Sequence, residues 1–147
     1  MQSVRIIEFP ACLMAASPVG TFGDAAFDSF AEWISSQPRG IYPSDFLTME
    51  ESGMRWLYLL SEGMQVPHGY ETVAHPGGLY AVTTDIDMQT DMAEMYAELD
   101  VFLKRYGLER DDGRPCMGNI ISSPAAAAAL GCEQMDYYTP VRKTDER

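Results

Sequence analysis

Apolar residues follow two spacings along the chain, alternating and helical, and these divide it into a series of strands and two main helices. The opening run Val4-Arg5-Ile6-Ile7-Glu8-Phe9 is β-branched and aromatic. It stops at Pro10 and resumes as Ala11-Cys12-Leu13-Met14-Ala15-Ala16 before Ser17-Pro18 and Gly20, and reads as one interrupted strand. Asp24 is a candidate N-cap for a first helix with Phe27, Phe30, Trp33 and Ile34 on one face, ended by Pro38 and Gly40. A turn-rich stretch containing Ile41-Tyr42-Pro43 leads to the strand Met54-Arg55-Trp56-Leu57-Tyr58-Leu59-Leu60, which closes at Gly63. After His75-Pro76-Gly77-Gly78 comes the strand Leu79-Tyr80-Ala81-Val82-Thr83-Thr84. Met92, Met95, Tyr96, Leu99, Phe102 and Leu103 recur at helical spacing between Asp91 and Gly107 and predict a second helix. Strands are expected over 115–122 and 134–142, with Ala125 to Ala129 as a helical turn between them.

The second half replays the first. Phe30-Ala31-Glu32-Trp33-Ile34 falls on Leu99-Asp100-Val101-Phe102-Leu103, and Met54-Arg55-Trp56-Leu57-Tyr58 on Met135-Asp136-Tyr137-Tyr138-Thr139. A repeat of roughly 70 to 80 residues is too long for a solenoid. It predicts a duplicated strand-helix-strand-strand unit in one α+β domain, 1–147, with pseudo-twofold symmetry. The 147-residue length and the 46% hydrophobic content fit one folded domain and exclude disordered, collagen-like and low-complexity classes. No apolar run is long enough to span a bilayer and the start lacks the features of a secretory signal, so a cytoplasmic protein with no membrane partner is expected.

Charge is uneven. The net charge is −12, and residues 1 to 103 carry only Arg5, Arg39 and Arg55 against fifteen carboxylates. Such a surface repels phosphate backbones, so no direct nucleic-acid binding is expected; it either attracts cations or simply keeps the chain soluble. Cys12, Cys116 and Cys132 are widely spaced and read as reduced thiols. His68 and His75 fit no zinc spacing, and Asp85 and Asp87 read as turn carboxylates, so neither metal nor cofactor is expected. No GxSxG, GxGxxG, P-loop or HExxH motif occurs.

The candidate chemistry lies in aromatics and one carboxylate. Trp33, Tyr42, Trp56, Tyr58, Tyr80, Tyr96, Phe102, Tyr137 and Tyr138 all fall on or beside core-forming elements, and at least half should simply pack. Asp136 sits in an apolar and aromatic strand. It faces outward, pairs with Arg55 at the matching place in the other repeat, or faces a cationic ligand. Met88, Met92 and Met95 either fill core or line a pocket.

Several stretches, in order and over essentially the whole chain, resemble the GyrI-like small-molecule-binding domain, which is also the effector-binding half of AraC-type and MerR-type multidrug-responsive regulators. They are Phe9-Pro10-Ala11 with Ala15 and Gly20, the helix Phe27 to Ile34, His75-Pro76-Gly77-Gly78-Leu79-Tyr80-Ala81-Val82, Phe102-Leu103-Lys104-Arg105-Tyr106-Gly107, Gly113-Arg114-Pro115, and Met135-Asp136-Tyr137-Tyr138-Thr139-Pro140-Val141. The resemblance implies a duplicated βαββ fold with an antiparallel sheet, two main helices and a central groove lined by aromatics. It also implies an acidic residue on the last strand facing lipophilic cations. Asp136 occupies that place where the family commonly has Glu; Glu133 is the alternative bearer of that charge. The implied ligand-binding set is Trp33, Tyr42, Trp56, Tyr58, Tyr96, Phe102, Glu133, Asp136 and Tyr138. Two activities follow from the resemblance. One is binding of aromatic, lipophilic, cationic molecules for sequestration or sensing, the latter with a separate DNA-binding domain or protein partner. The other is hydrolysis of strained-ring or electrophilic hydrophobic compounds by Asp136 and Tyr138.

Overall fold

The computed structural model describes residues 2–144. In chain order the elements are β1 (Arg5–Phe9), β2 (Cys12–Ala16), α1 (Ala25–Ser35), β3 (Asp45–Glu50), β4 (Gly53–Leu59), β5 (Glu71–His75) and β6 (Gly78–Ile86). They continue with α2 (Met92–Arg105), β7 (Leu108–Arg110), β8 (Met117–Ile120), α3 (Pro124–Leu130) and β9 (Gln134–Lys143). They form two compact units, one from Pro10–Gly77, the other from the residues up to Phe9 together with those from Gly78 onward. The fold is α+β, and each unit carries a βαββ sequence: β2-α1-β3-β4 in one, β6-α2-β8-β9 in the other.

In the Pro10–Gly77 unit the strand order is β3-β4-β2-β5, all antiparallel. The register sets Ala15 opposite Tyr58 and Asp45 opposite Tyr58 on its other side. Alternation then puts Trp56 and Tyr58 on one face, where they meet α1, and Arg55 and Leu57 on the other. α1 buries Phe27 and Phe30 completely; each contributes about 1.5–3 kcal/mol of transfer free energy. Asp24 stands at the N-cap but does not cap through its side chain. Its Oδ2 instead accepts from the Thr21 amide at 2.9 Å, closing the turn before the helix. Buried Ser17 ties β2 to β4: its Oγ accepts from the Trp56 amide at 3.0 Å and donates to the Pro18 carbonyl at 2.8 Å.

The other unit has the same order in its own elements, β1-β6-β9-β8, with β7 pairing the end of β9. α2 runs from Asp91, whose carboxylate caps the Glu94 amide at 3.2 Å, and Lys104 and Arg105 complement its C-terminal dipole. Met95, Leu99 and Leu103, four residues apart, are its buried stripe, and Leu99 and Leu103 pack on Ala81 and Val141. Gly78 has φ +121°, and a Cβ there would stand 2.6 Å from Arg114 Nη1. Arg114 donates to the carbonyls of Leu79 (3.0 Å) and Val141 (2.9 Å), pairs with Asp111 at 3.2 Å, and lies over the Tyr80 ring at 4.8 Å.

Two readings of the sequence change. The run from Val4 to Ala16 is not one interrupted strand: β1 pairs with β6 in one unit and β2 with β4 and β5 in the other. Pro10 has no amide to donate to a ladder, so the hydrogen bonding breaks there and the chain passes from one unit to the other. The turn-rich stretch ahead of Met54 holds a strand, β3, and two further short strands, β5 and β7, lie where none was read. The helical turn expected over Ala125 to Ala129 is present as the short helix α3, started by Ser123 Oγ capping the Ala126 amide and by Pro124 in the first turn.

Candidate functional site

The aromatic positions of α1 and β4 build one wall of a cavity within the Pro10–Gly77 unit. Phe30 lies one helical turn before Trp33, so both project toward the face of β4 that carries Trp56 and Tyr58. The Trp33 and Tyr58 rings meet edge to face, with centroids 5.4 Å apart, and Trp33 holds the same relation to Phe30 at 5.5 Å. Trp56 packs beside them, against Phe22 (5.5 Å), Phe27 (5.6 Å) and Phe30 (5.9 Å). The Trp33 indole N–H donates to the Gln65 carbonyl at 3.2 Å, which fixes the 61–67 loop across from the ring. Between them lies a cavity of about 720 Å³, lined by Trp33, Ser36, Gln37, Pro38 and Gly40, by Ser44, Tyr58 and Leu59, and by the loop from Ser61 to Pro67. Its size is that of a drug-sized ligand site, and its walls are mainly aromatic and aliphatic.

Asp45 is the half-buried carboxylate next to this wall, adjoining the lining residue Ser44. It stands directly across the ladder from Tyr58, and its Oδ2 accepts from the Trp56 indole N–H at 2.8 Å. Burial pushes its pKa up from the ordinary carboxylate value, and the Trp56 hydrogen bond pulls part of the way back. Burial, and then the Asp45 charge, raise the Tyr58 phenol, so that ring stays neutral at physiological pH.

The other unit separates the remaining site candidates onto two faces of its sheet. On the face away from α2, Asp136 and Tyr138 stand two residues apart on β9. Tyr138 touches Phe9 (6.3 Å) and Tyr80 (6.2 Å) edge to face. Asp136 pairs with Arg5 at 3.5 Å, with side chains 20% and 58% exposed respectively. Burial and the Asp136 charge raise the Tyr138 phenol, with Arg5 opposing. On the α2 face, Tyr96 and Phe102 pack with the Leu99 and Leu103 core, and the Tyr96 and Tyr137 hydroxyls are 2.5 Å apart. Desolvation and the Tyr96 hydrogen bond raise the Tyr137 phenol strongly.

The structure therefore brings Trp33 and Tyr58 together at a cavity with Trp56 packed beside them, and places Asp136 with Tyr138. It sets Tyr96 and Phe102 on the opposite face of the sheet from that pair. Tyr42, 75% exposed, and Glu133, also exposed, lie outside both groupings. The ion pair of Arg55 is with Glu71, within its own unit, and that of Asp136 is with Arg5. Met88 is solvent-exposed, whereas Met95 is buried and lines a polar cavity of about 470 Å³ beside the start of α2. Asp85 and Asp87 flank a turn closed by the Ile86 amide donating to Thr90 Oγ1 at 2.7 Å. Among the described residues no cluster of His, Cys, Asp and Glu is arranged to hold a metal, and no helix is long and apolar enough to cross a membrane. Sequence reasoning missed Asp45 and the 61–67 loop. The alternation of Phe46 and Thr48 was the available signal for a strand there, masked by the turn residues before it.

No family model and no curated protein matches the sequence. Solved structures do match in shape. The C-terminal domain of EcmrR superposes with a TM-score of 0.61 at 9% identity, covering 97% of this chain and 99% of that one. Against the longer EcmrR chain in its DNA complex, the match has a TM-score of 0.64 at 11% identity and spans 58% of that chain. A hydrolase from Listeria innocua matches with a TM-score of 0.67 at 12% identity over 95% of this chain and 91% of its own. SAV2435 bound to tetraphenylphosphonium matches with a TM-score of 0.55 at 10% identity, covering 95% and 94%. At these identities the likeness is one of fold, and the chain shares the α+β fold of these proteins, the fold that the GyrI-like resemblance implies.

Proposed function

We propose that this chain binds aromatic, lipophilic small molecules, organic cations above all, for sequestration or sensing. The observation that carries this reading is the cavity of about 720 Å³ walled by the Trp33 and Tyr58 rings and closed by the apolar side chains of Met64, Val66 and Pro67. An aromatic face attracts a desolvated cation by about 0.5–2 kcal/mol, and an edge-to-face pair offers one ring face and one ring edge to a ligand. The net charge of −12 adds a long-range attraction for cations and argues against direct contact with nucleic acid. The structural likeness to SAV2435 bound to a lipophilic cation supports the ligand class. The likeness to part of EcmrR supports sensing through a separate DNA-binding segment or protein partner.

The chain has only two tryptophans, and both lie in this unit. Titration with tetraphenylphosphonium should give saturable fluorescence quenching that Trp33→Phe abolishes and Trp56→Phe retains. Quenching that persists unchanged in Trp33→Phe would place the ligand elsewhere, and no saturable binding would refute the reading.

A second reading, hydrolysis of electrophilic hydrophobic compounds, is favoured by one arrangement. Tyr138, its phenol kept protonated by burial, stands two residues from Asp136 on one sheet face, so a proton donor and a carboxylate adjoin. The likeness to a Listeria innocua hydrolase supports it. Turnover lost in both Asp136→Asn and Tyr138→Phe would establish it; turnover unaffected by either would remove it.

A further inference from the structure

We propose that Asp45, beside Tyr58 at the edge of the cavity wall, is the carboxylate that makes this cavity prefer organic monocations to neutral molecules of the same shape. This rests on the binding reading above and names the residue that sets its selectivity.

Three observations lead there. Asp45 and Tyr58 are direct partners across an antiparallel ladder, so their side chains share one face of the sheet with Cβ atoms about 4.5–5.5 Å apart, and the carboxylate stands beside a residue that lines the cavity. The Trp56 indole N–H, 2.8 Å from Oδ2, holds the carboxylate in one orientation and stabilises its charged form. The group is also half-buried, so water and salt screen its field less than they screen a surface charge.

The other charges around the cavity are solvated. Glu62 lines it and Arg39 lies between the lining residues Pro38 and Gly40, but both are exposed and opposite in sign. The Arg55–Glu71 pair is self-compensated and Arg55 belongs to the opposite face of β4. Asp45 is thus the charge that a ligand against Tyr58 would feel most strongly. A buried carboxylate is also costly to keep: burial raises its pKa, so the ionised form destabilises the folded unit at neutral pH. Asp45→Asn retains an acceptor for Trp56 and removes that cost, so the variant should fold at least as stably as the parent. A residue that costs stability and is simple to replace is expected where function holds it.

Calorimetric titration of the full chain with tetraphenylphosphonium and with neutral triphenylphosphine oxide tests this, on the parent, Asp45→Asn and Glu62→Gln, at low and high salt. Asp45→Asn should weaken the cation about tenfold, equivalent to about 1.4 kcal/mol, and leave the neutral ligand within about twofold. Glu62→Gln should weaken the cation by less than about threefold, an effect erased by salt. Equal loss of both ligands in Asp45→Asn, or no loss of either, overturns the proposal. So does a Glu62→Gln variant that reproduces the full loss. A parent chain that binds both ligands equally well refutes the selectivity while leaving the cavity as a binding site; a parent that binds neither refutes the binding reading itself.

Discussion

Replacing Gly78 by Ala tests the account of how β1, β6 and β9 are held together. Two independent costs are expected. The first is backbone strain: φ is +121°, a region that L side chains rarely adopt, and such a residue costs about 1–3 kcal/mol. The second is steric. The new methyl would stand 2.6 Å from Arg114 Nη1 and 2.9 Å from Cζ, so the guanidinium must move. In moving it weakens its bonds to the Leu79 and Val141 carbonyls and to Asp111, and its place over Tyr80. Hydrogen bonds to a charged group are worth about 1.5–3 kcal/mol each, and losing the equivalent of one brings the total to about 2.5–6 kcal/mol. For a chain of this length each kcal/mol lowers Tm by about 2–4 °C. Urea unfolding of the parent, Gly78→Ala, Arg114→Met and the double variant separates the two costs. With Arg114 shortened to a flexible thioether the clash disappears, and Gly78→Ala should then cost only the strain. An identical cost in both backgrounds would refute the role assigned to Arg114, and a cost under about 0.5 kcal/mol in the parent would refute the strain as well.

Two further outcomes are expected. Ser17→Ala should destabilise by about 1–3 kcal/mol, because the Trp56 amide loses the Ser17 Oγ acceptor in a site that is 1% exposed; an unchanged denaturation midpoint would show that the amide finds another partner. The Gly113 amide and Arg114 hold the Asp111 carboxyl below its ordinary pKa of 3.8. A depressed carboxyl contributes stability that is present above its unfolded pKa and is lost as pH falls through the folded one, so Asp111→Asn should be less stable than the parent at neutral pH, and the difference should shrink below about pH 4. A difference that stays constant from pH 7 to pH 2.5 would rule out this linkage.

The main helices were legible because a 3.6-residue period needs only local information. Phe27, Phe30 and Trp33 declare a face whatever they pack against, as do Met95, Leu99 and Leu103. The duplication was legible for a related reason: Trp56 and Tyr58 in β4, and Tyr137 and Thr139 in β9, keep the same side toward their own helix. The short strands were not. β3 reads Asp45 to Glu50 with charges at both ends, and β5 reads Glu71 to His75 with exposed polar residues; each becomes a strand only because a neighbour supplies hydrogen bonds. The pattern of residues determined the helices, the aromatic supply of Trp33 and Tyr58, the acidic balance and the place where Pro10 breaks the ladder. Only the tertiary structure decided that β1 and β2 pair within different units, that Arg5 rather than Arg55 pairs with Asp136, and that Asp45 stands beside Tyr58 next to the cavity. Those outcomes depend on partners such as Arg5 and Asp136, whose hydrogen bond spans 131 positions, and on strand register, in which a slip of one residue exchanges the two faces of a sheet.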